Sequence, residues 1–237
     1  MTDDRHAPSF QVRRQQSRRR RVRRSLLAAS IVLVAAGLVW LIGFSTVLGV
    51  NKVQVQGTSL VSPDQVTSAA QVVSGTPLAR VDGKAIAARV KAAIPEVAAV
   101  TVSRHWPSTL VIRVTERVLV YQVLFGGDFH WVDATGTAFH ITPDAQPAPV
   151  VTLDTGDQKV MADVATVVTA LPEDLEPHVQ YITATTRDSI TLSLDDGRDI
   201  FWGSAEQSDL KAKVVVPLLD FPGTVYDVSA PADPAVR

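Results

Sequence analysis

The chain has 237 residues, a formal net charge of −1 and no cysteine. That length allows one or two domains, and the missing cysteine excludes disulfides, thiolate metal sites and a cysteine nucleophile. The near-neutral total hides an asymmetry: residues 1–24 hold nine arginines and two aspartates, +7, which leaves −8 for everything after them.

Residues 1–24 read as a tail without a fold, because few apolar residues accompany a run of like charge. Arginines near a membrane surface attract anionic lipid headgroups by about 1 kcal/mol each. Nucleic-acid binding is the rival use of such a run, with only Phe10 as an aromatic companion. Ser25–Val50 is then 26 residues without a charge or a proline. A bilayer core takes about 20 apolar residues as helix, and a helix closes all its backbone hydrogen bonds internally, as lipid requires. Eight arginines lie between Arg13 and Arg24, against Lys52 alone just after the run. The positive-inside bias therefore predicts a single span, N-terminus in the cytoplasm and everything after Val50 outside. The run is too long for the apolar core of a cleaved signal peptide and has no good cleavage site.

Val50–Gly57 alternates apolar and polar and ends at glycine, which predicts a strand. Ser62-Pro-Asp-Gln65 is a capping box opening a helix to about Val73. Asp82 caps a second helix to Ala93, and Val97–Arg104 and Thr109–Glu116 are strands around a His105–Ser108 turn. The order β-α-α-β-β predicts a small sheet with two helices. Val118–Phe125, Phe129–Val132 and Thr137–Ile141 are predicted strands, with Asp133-Ala-Thr-Gly136 as a hairpin-like turn. Pro143–Pro149 is a predicted loop and Lys159–Leu171 a helix. Tyr181–Ala184, Ser189–Leu194 and Asp199–Trp202 are predicted strands, the last two joined by Asp195-Asp-Gly-Arg198. Ser204-Ala-Glu-Gln207 is a second capping box, opening a helix to about Asp220 that Pro217 should kink or end. Thr224–Ser229 is the last predicted strand, and 230–237 a proline-containing tail.

A search for chemistry finds little. His6, His105, His130, His140 and His178 are scattered and share no metal-ligand spacing. Ser208-Asp-Leu-Lys211 matches the S-x-x-K nucleophile motif, but its partner motifs S-D-N and K-T-G are absent. Asp195-Asp-Gly lacks the spaced ligands of a calcium loop, and no phosphate loop or G-x-S-x-G occurs. No catalytic residue, metal, cofactor or small-molecule substrate is expected.

Several segments together resemble the FtsQ/DivIB family of cell-division proteins, actinobacterial members especially. They are Arg104-His-Trp-Pro107, Glu116-Arg117, Trp131-Val-Asp133 with Gly136 and Phe139, Asp195-x-Gly197 with Gly203 and Lys211, and Tyr226–Pro231. The resemblance runs in order through nearly the whole chain. One departure is Val118-Leu119, where the family often has proline. The resemblance implies an α+β fold: basic tail 1–24, transmembrane helix 25–50, POTRA domain 51–117, β-domain 118–229 and tail 230–237. It implies a non-enzymatic divisome scaffold at the septum, single-pass in the plasma membrane, that binds FtsB- and FtsL-like proteins and links assembly to septal peptidoglycan synthesis. A membrane-anchored cell-wall enzyme and a membrane-tethered nucleic-acid binder are the alternatives.

The resemblance places the FtsB-like contact in the C-terminal region, beside the helix carrying Lys211. Thr224, Val225, Tyr226, Asp227, Val228 and Ser229, taken as the last strand, are expected at a sheet edge open to strand addition. Val225, Asp227 and Ser229 point one way and Tyr226 and Val228 the other, and either set could face the core. Arg104, Trp106, Pro107, Glu116 and Arg117 are expected to be structural, with Trp106 packed over the sheet at about 3–5 kcal/mol if buried.

Overall fold

The computed structural model describes residues 23–37, 39–40, 48–153 and 157–237. The arginine tail as far as residue 22 and part of the Ser25–Val50 run lie outside the described residues. Residues 23–37 form a helix, α1, whose apolar side chains, among them Leu26, Ile31, Leu33 and Val34, are exposed. Among the described residues no helix is long and apolar enough to cross a membrane.

The described chain divides into two compact units. One takes the residues up to Gln56 with Pro63–Arg89 and Thr101–Arg113; the other takes Gly57–Ser62, Val90–Val100 and Val114–Arg237. The β-α-α-β-β order predicted for the first part is found: β1 (Lys52–Gln56), α2 (Pro63–Ala70), α3 (Gly83–Ala93), β2 (Val97–His105) and β3 (Thr109–Glu116). The sheet order is β1-β3-β2, with β1 parallel to β3 from Lys52 opposite Thr109 to Gln56 opposite Arg113. Asp82 Oδ1 accepts from the N–H groups of Lys84 and Ala85 at 3.0 Å, satisfying donors that the first turn of α3 leaves free. α2 is shorter than its capping pattern predicts, because Gln71 takes a left-handed φ of 49° and stops it. Val66, Ala70, Leu78, Ile86, Leu110 and Ile112 are buried.

The second sheet has nine strands in the order β12-β11-β10-β9-β8-β7-β4-β5-β6. They are β4 (Tyr121–Phe125), β5 (Asp128–Val132), β6 (Ala138–Thr142), β7 (Val150–Leu153), β8 (Val179–Ala184), β9 (Ile190–Leu194), β10 (Asp199–Gly203), β11 (Val225–Asp227) and β12 (Ala235–Val236). β7 is parallel to β4 and to β8, and β11 to β10; the other pairs are antiparallel. α4 (Gln158–Ala170) and α5 (Ser208–Leu218) complete the unit. Val164, Ala165 and Val168 of α4 and Val215 of α5 share one core with Val123, Ile182, Leu192, Ile200 and Trp202 of the strands. The fold is thus α+β, a small helix-bearing sheet followed by a mixed β domain.

Three local expectations are corrected. β7 falls just after the predicted proline loop. α5 begins four residues later than Ser204, because Gln207 sits at φ 56° and 204–207 forms a turn ahead of the helix. The tail 230–237 is not free of ladder: Ala235–Val236 pairs antiparallel with β11.

Candidate functional site

The C-terminal edge of the nine-stranded sheet is built from β10, β11, β12 and the start of α5. β11 alternates as a strand must, and the structure decides which set faces in: Tyr226 and Val228 are buried, whereas Val225 and Ser229 are exposed. The Tyr226 hydroxyl donates to the carbonyls of Phe221 at 2.8 Å and Gly223 at 3.0 Å, and the Arg198 guanidinium lies 5.6 Å from the ring centre.

β11 is not the open edge its sequence position suggests. On one side it pairs with β10, Val225 opposite Asp199. On the other, the N–H groups of Thr224 and Val225 donate to the Arg237 carbonyl at 2.8 and 3.0 Å, and the Arg237 N–H donates back to Val225 at 2.9 Å. Pro231 and Pro234 do not prevent this, since both precede the paired residues. The exchange marks Val225–Arg237 as a hydrogen-bonded pair, so the next pair, Tyr226 opposite Val236, is the other kind. The Val236 N–H and C=O therefore point away from β11, to the outer side of β12. Val236 packs against the core and lies over Gly223, where an added Cβ would come within 2.3 Å of its Cγ1. Ala235, Val236 and Arg237 are missing from the sequence-based site; the single apolar Val236 between Pro234 and Arg237 is too faint a strand signal.

Lys211 is 1% exposed. Its Nζ donates to the carbonyls of Trp202 at 2.9 Å and Ser204 at 2.8 Å, clamping α5 to the end of β10. Burial lowers the ammonium below the usual lysine range, and Glu206 and Asp227 oppose the shift. A side chain so enclosed is not a contact residue, which corrects its placement at a partner surface. Both members of the S-x-x-K pair are engaged in the same geometry. Ser208 Oγ donates to the Ala205 carbonyl at 2.8 Å and accepts from Trp202 Nε1 at 3.1 Å, so both members of the motif serve the turn before α5.

Four of the five residues assigned to structure have visible tasks or places. Arg104 Nη2 donates to the Val81 carbonyl at 2.8 Å. Arg117 donates from Nε to the Pro95 carbonyl at 3.0 Å and from Nη1 to Asp133 Oδ2. Glu116 accepts the backbone N–H groups of Ser59, Leu60 and Val61 at 2.8–3.1 Å. Pro107 follows Trp106 through a cis peptide in the turn. Trp106 itself is 52% exposed, so it is not the buried ring expected over the sheet. Its truncation should not carry the penalty of a core aromatic.

Burial works to raise the Glu116 carboxyl, but the N–H groups of Leu60, Val61 and Ser59 outweigh it and hold the group below the usual range. Asp133 is likewise lowered, by Thr135, Thr137 and Arg117 against burial. Carboxylates with folded values below their unfolded value of about 4 contribute stability above that value and lose it as pH falls through the folded ones. The melting temperature of the purified chain should therefore fall steeply below about pH 4. Glu116→Gln should be less stable at pH 7 and show a shallower acid slope; an unchanged slope would contradict this role.

Among the described residues no group of histidines and carboxylates could hold a metal ion. A family model described as POTRA domain, FtsQ-type, matches residues 48–117, and one described as cell division protein FtsQ/DivIB, C-terminal, matches 123–220. The chain belongs to the FtsQ/DivIB family. The cell division protein FtsQ of Streptomyces venezuelae is 36% identical over 94% of this chain and 87% of its own length. That of Mycolicibacterium smegmatis is 37% identical over 97% of this chain and 69% of its own, and that of Mycobacterium tuberculosis 35% over 89% and 68%. The solved extracytoplasmic domain of DivIB from Geobacillus stearothermophilus is 20% identical, with a TM-score of 0.35 over 42% of this chain and 87% of that one. For a FtsQ/DivIB chain a role in cell division follows, and the β1–β3 region is its POTRA domain.

Proposed function

We propose that this FtsQ/DivIB chain is a non-catalytic, membrane-tethered division protein that captures FtsB- and FtsL-like partners and so links divisome assembly to septal peptidoglycan synthesis. Its place is the plasma membrane at the septum, N-terminus in the cytoplasm. The charge-free Ser25–Val50 run, with arginines before it, supports the tether. The apolar surface of α1 has no protein cover among the described residues, which suits a lipid surround. The arginine tail would rest on anionic headgroups.

The feature that carries the partner reading is the outward direction of the Val236 N–H and C=O on a two-residue edge strand. An extended partner segment adds there as a further strand, held by main-chain hydrogen bonds and tuned by side chains. The test changes the backbone donor in one variant and the side chain alone in another. Val236→Pro removes the outward N–H, and co-purification of an FtsB-like partner from membranes should drop about tenfold, the equivalent of about 1.4 kcal/mol. Val236→Thr should capture normally. Unchanged capture by a Val236→Pro protein of normal melting temperature would end the strand-addition reading. Deleting residues 224–237 would be a poorer experiment, since it strips Tyr226 and Val228 from the core.

A further inference from the structure

Two separate loops are stitched to the backbone at the end of the apolar run and just after it. The Val50 N–H donates to the Thr76 carbonyl at 2.9 Å, the Gly75 N–H donates to the Val50 carbonyl at 2.9 Å, and Gly49 bridges Pro77. Gly49 and Gly75 meet so closely that a Cβ on Gly49 would lie 2.6 Å from the Gly75 carbonyl oxygen. The N–H groups of Asn51 and Lys52 donate to the Ser108 carbonyl at 2.9 and 3.2 Å. The loop 71–77 and the turn 104–108 are therefore fixed beside residues 49–52.

Each presents a large apolar side chain that is half or more exposed. Val73, two residues from Gly75, is 72% exposed, and Trp106, two residues from Ser108, is half exposed. Leu78 and Leu110, close to them in sequence, are fully buried. The charge is also one-sided. The segments 48–52, 71–77 and 104–108 contain no aspartate or glutamate and include Lys52 and Arg104, although the chain after residue 24 carries −8 overall.

We propose that Val73 and Trp106 form a membrane-contact surface, seated in the headgroup layer of the extracytoplasmic leaflet around the point where the chain leaves the bilayer. This rests on the reading of Ser25–Val50 as a span. The polar layer of each leaflet is about 5–7 Å thick, and two residues of chain reach about 7 Å, so that layer is within reach of both side chains. Tryptophan favours this zone because its ring has an apolar body and an N–H that stays wet. The missing carboxylates avoid repulsion from anionic headgroups. The surface would hold the start of the POTRA sheet against the bilayer and explains an exposed tryptophan in a turn whose other residues are backbone fixtures.

The absence of cysteine makes the test direct. Single-cysteine chains V73C, W106C, V32C and R113C are labelled with an environment-sensitive fluorophore and reconstituted, full length, into vesicles of phosphatidylcholine and phosphatidylglycerol. Some of the vesicles carry lipids spin-labelled near the headgroup and others deep in the acyl chains. Arg113, opposite Gln56 at the far end of β1, is the reference for solvent. Labels at 73 and 106 should be quenched at least threefold more by the shallow spin label than the label at 113, with blue-shifted emission. The label at 32 should be quenched by the deep one. Quenching at 32 with labels at 73 and 106 as free as at 113 would overturn the surface and leave the span standing. No quenching at 32 by either lipid would overturn the span, and this proposal with it.

Discussion

Lys211→Ala is expected to destabilise the β domain by about 3–5 kcal/mol. The change leaves the carbonyls of Trp202 and Ser204 without their donor, at about 1–3 kcal/mol for each buried group left unmade. It also empties the space filled by a buried four-carbon stem. Lys211→Met, which keeps the stem, should recover part of the loss and none of the hydrogen bonds. The loss of partner capture in Lys211→Ala should follow the loss of fold, so lowering the temperature until the variant is folded should restore capture. A variant with an unchanged melting temperature and no capture would instead make Lys211 a contact residue.

Gly136→Ala is expected to be at least as damaging. Gly136 sits at φ +73° in the turn between β5 and β6, and a Cβ there would lie 2.4 Å from the Ala162 backbone nitrogen and 2.7 Å from its Cα. A helix backbone cannot move aside as a side-chain tip can. The left-handed conformation alone costs about 1–3 kcal/mol for a residue with a Cβ, and the clash against α4 adds to it. The melting temperature should drop by ten degrees or more, on the order of 2–4 degrees per kcal/mol for a chain of this size. Gly197→Ala separates the two effects: φ is +83°, but nothing lies within 4 Å of the added Cβ, so only the conformational part should appear. Equal losses at the two sites would mean that the contact with α4 is not as tight as the geometry gives.

Local patterns were readable wherever the physics is local. Thr109–Glu116 is bounded as its alternation predicts, and Asp82 caps α3 through its own side chain. What escaped depends on distant partners. β12 has two residues and exists because β11 offers it a ladder. β7 is four residues long and is held between β4 and β8, both parallel to it, a pairing that turn residues do not announce. Gln207 takes a left-handed turn that shifts the start of α5, while the local Ser204–Gln207 pattern argues for a helix. The burial of Lys211 is not legible locally, because its two carbonyl partners come to it only when β10 and α5 meet. The Arg104–Pro107 motif does not say how much of the Trp106 ring its turn leaves exposed. The family resemblance in the sequence was legible from spaced motifs, most of whose members prove to be turn and backbone-clamp residues.

The proposed joining of partners at the β12 edge can be read in cells. It is tested most directly by placing a photo-cross-linking amino acid at Ala235 on β12 and, in a second strain, at Ile141 on the opposite edge strand β6, in the full chain in dividing cells. Both positions are exposed. Irradiation should join the FtsB-like protein to residue 235 and not to residue 141. An adduct with that protein at 141 and none at 235 would contradict the account.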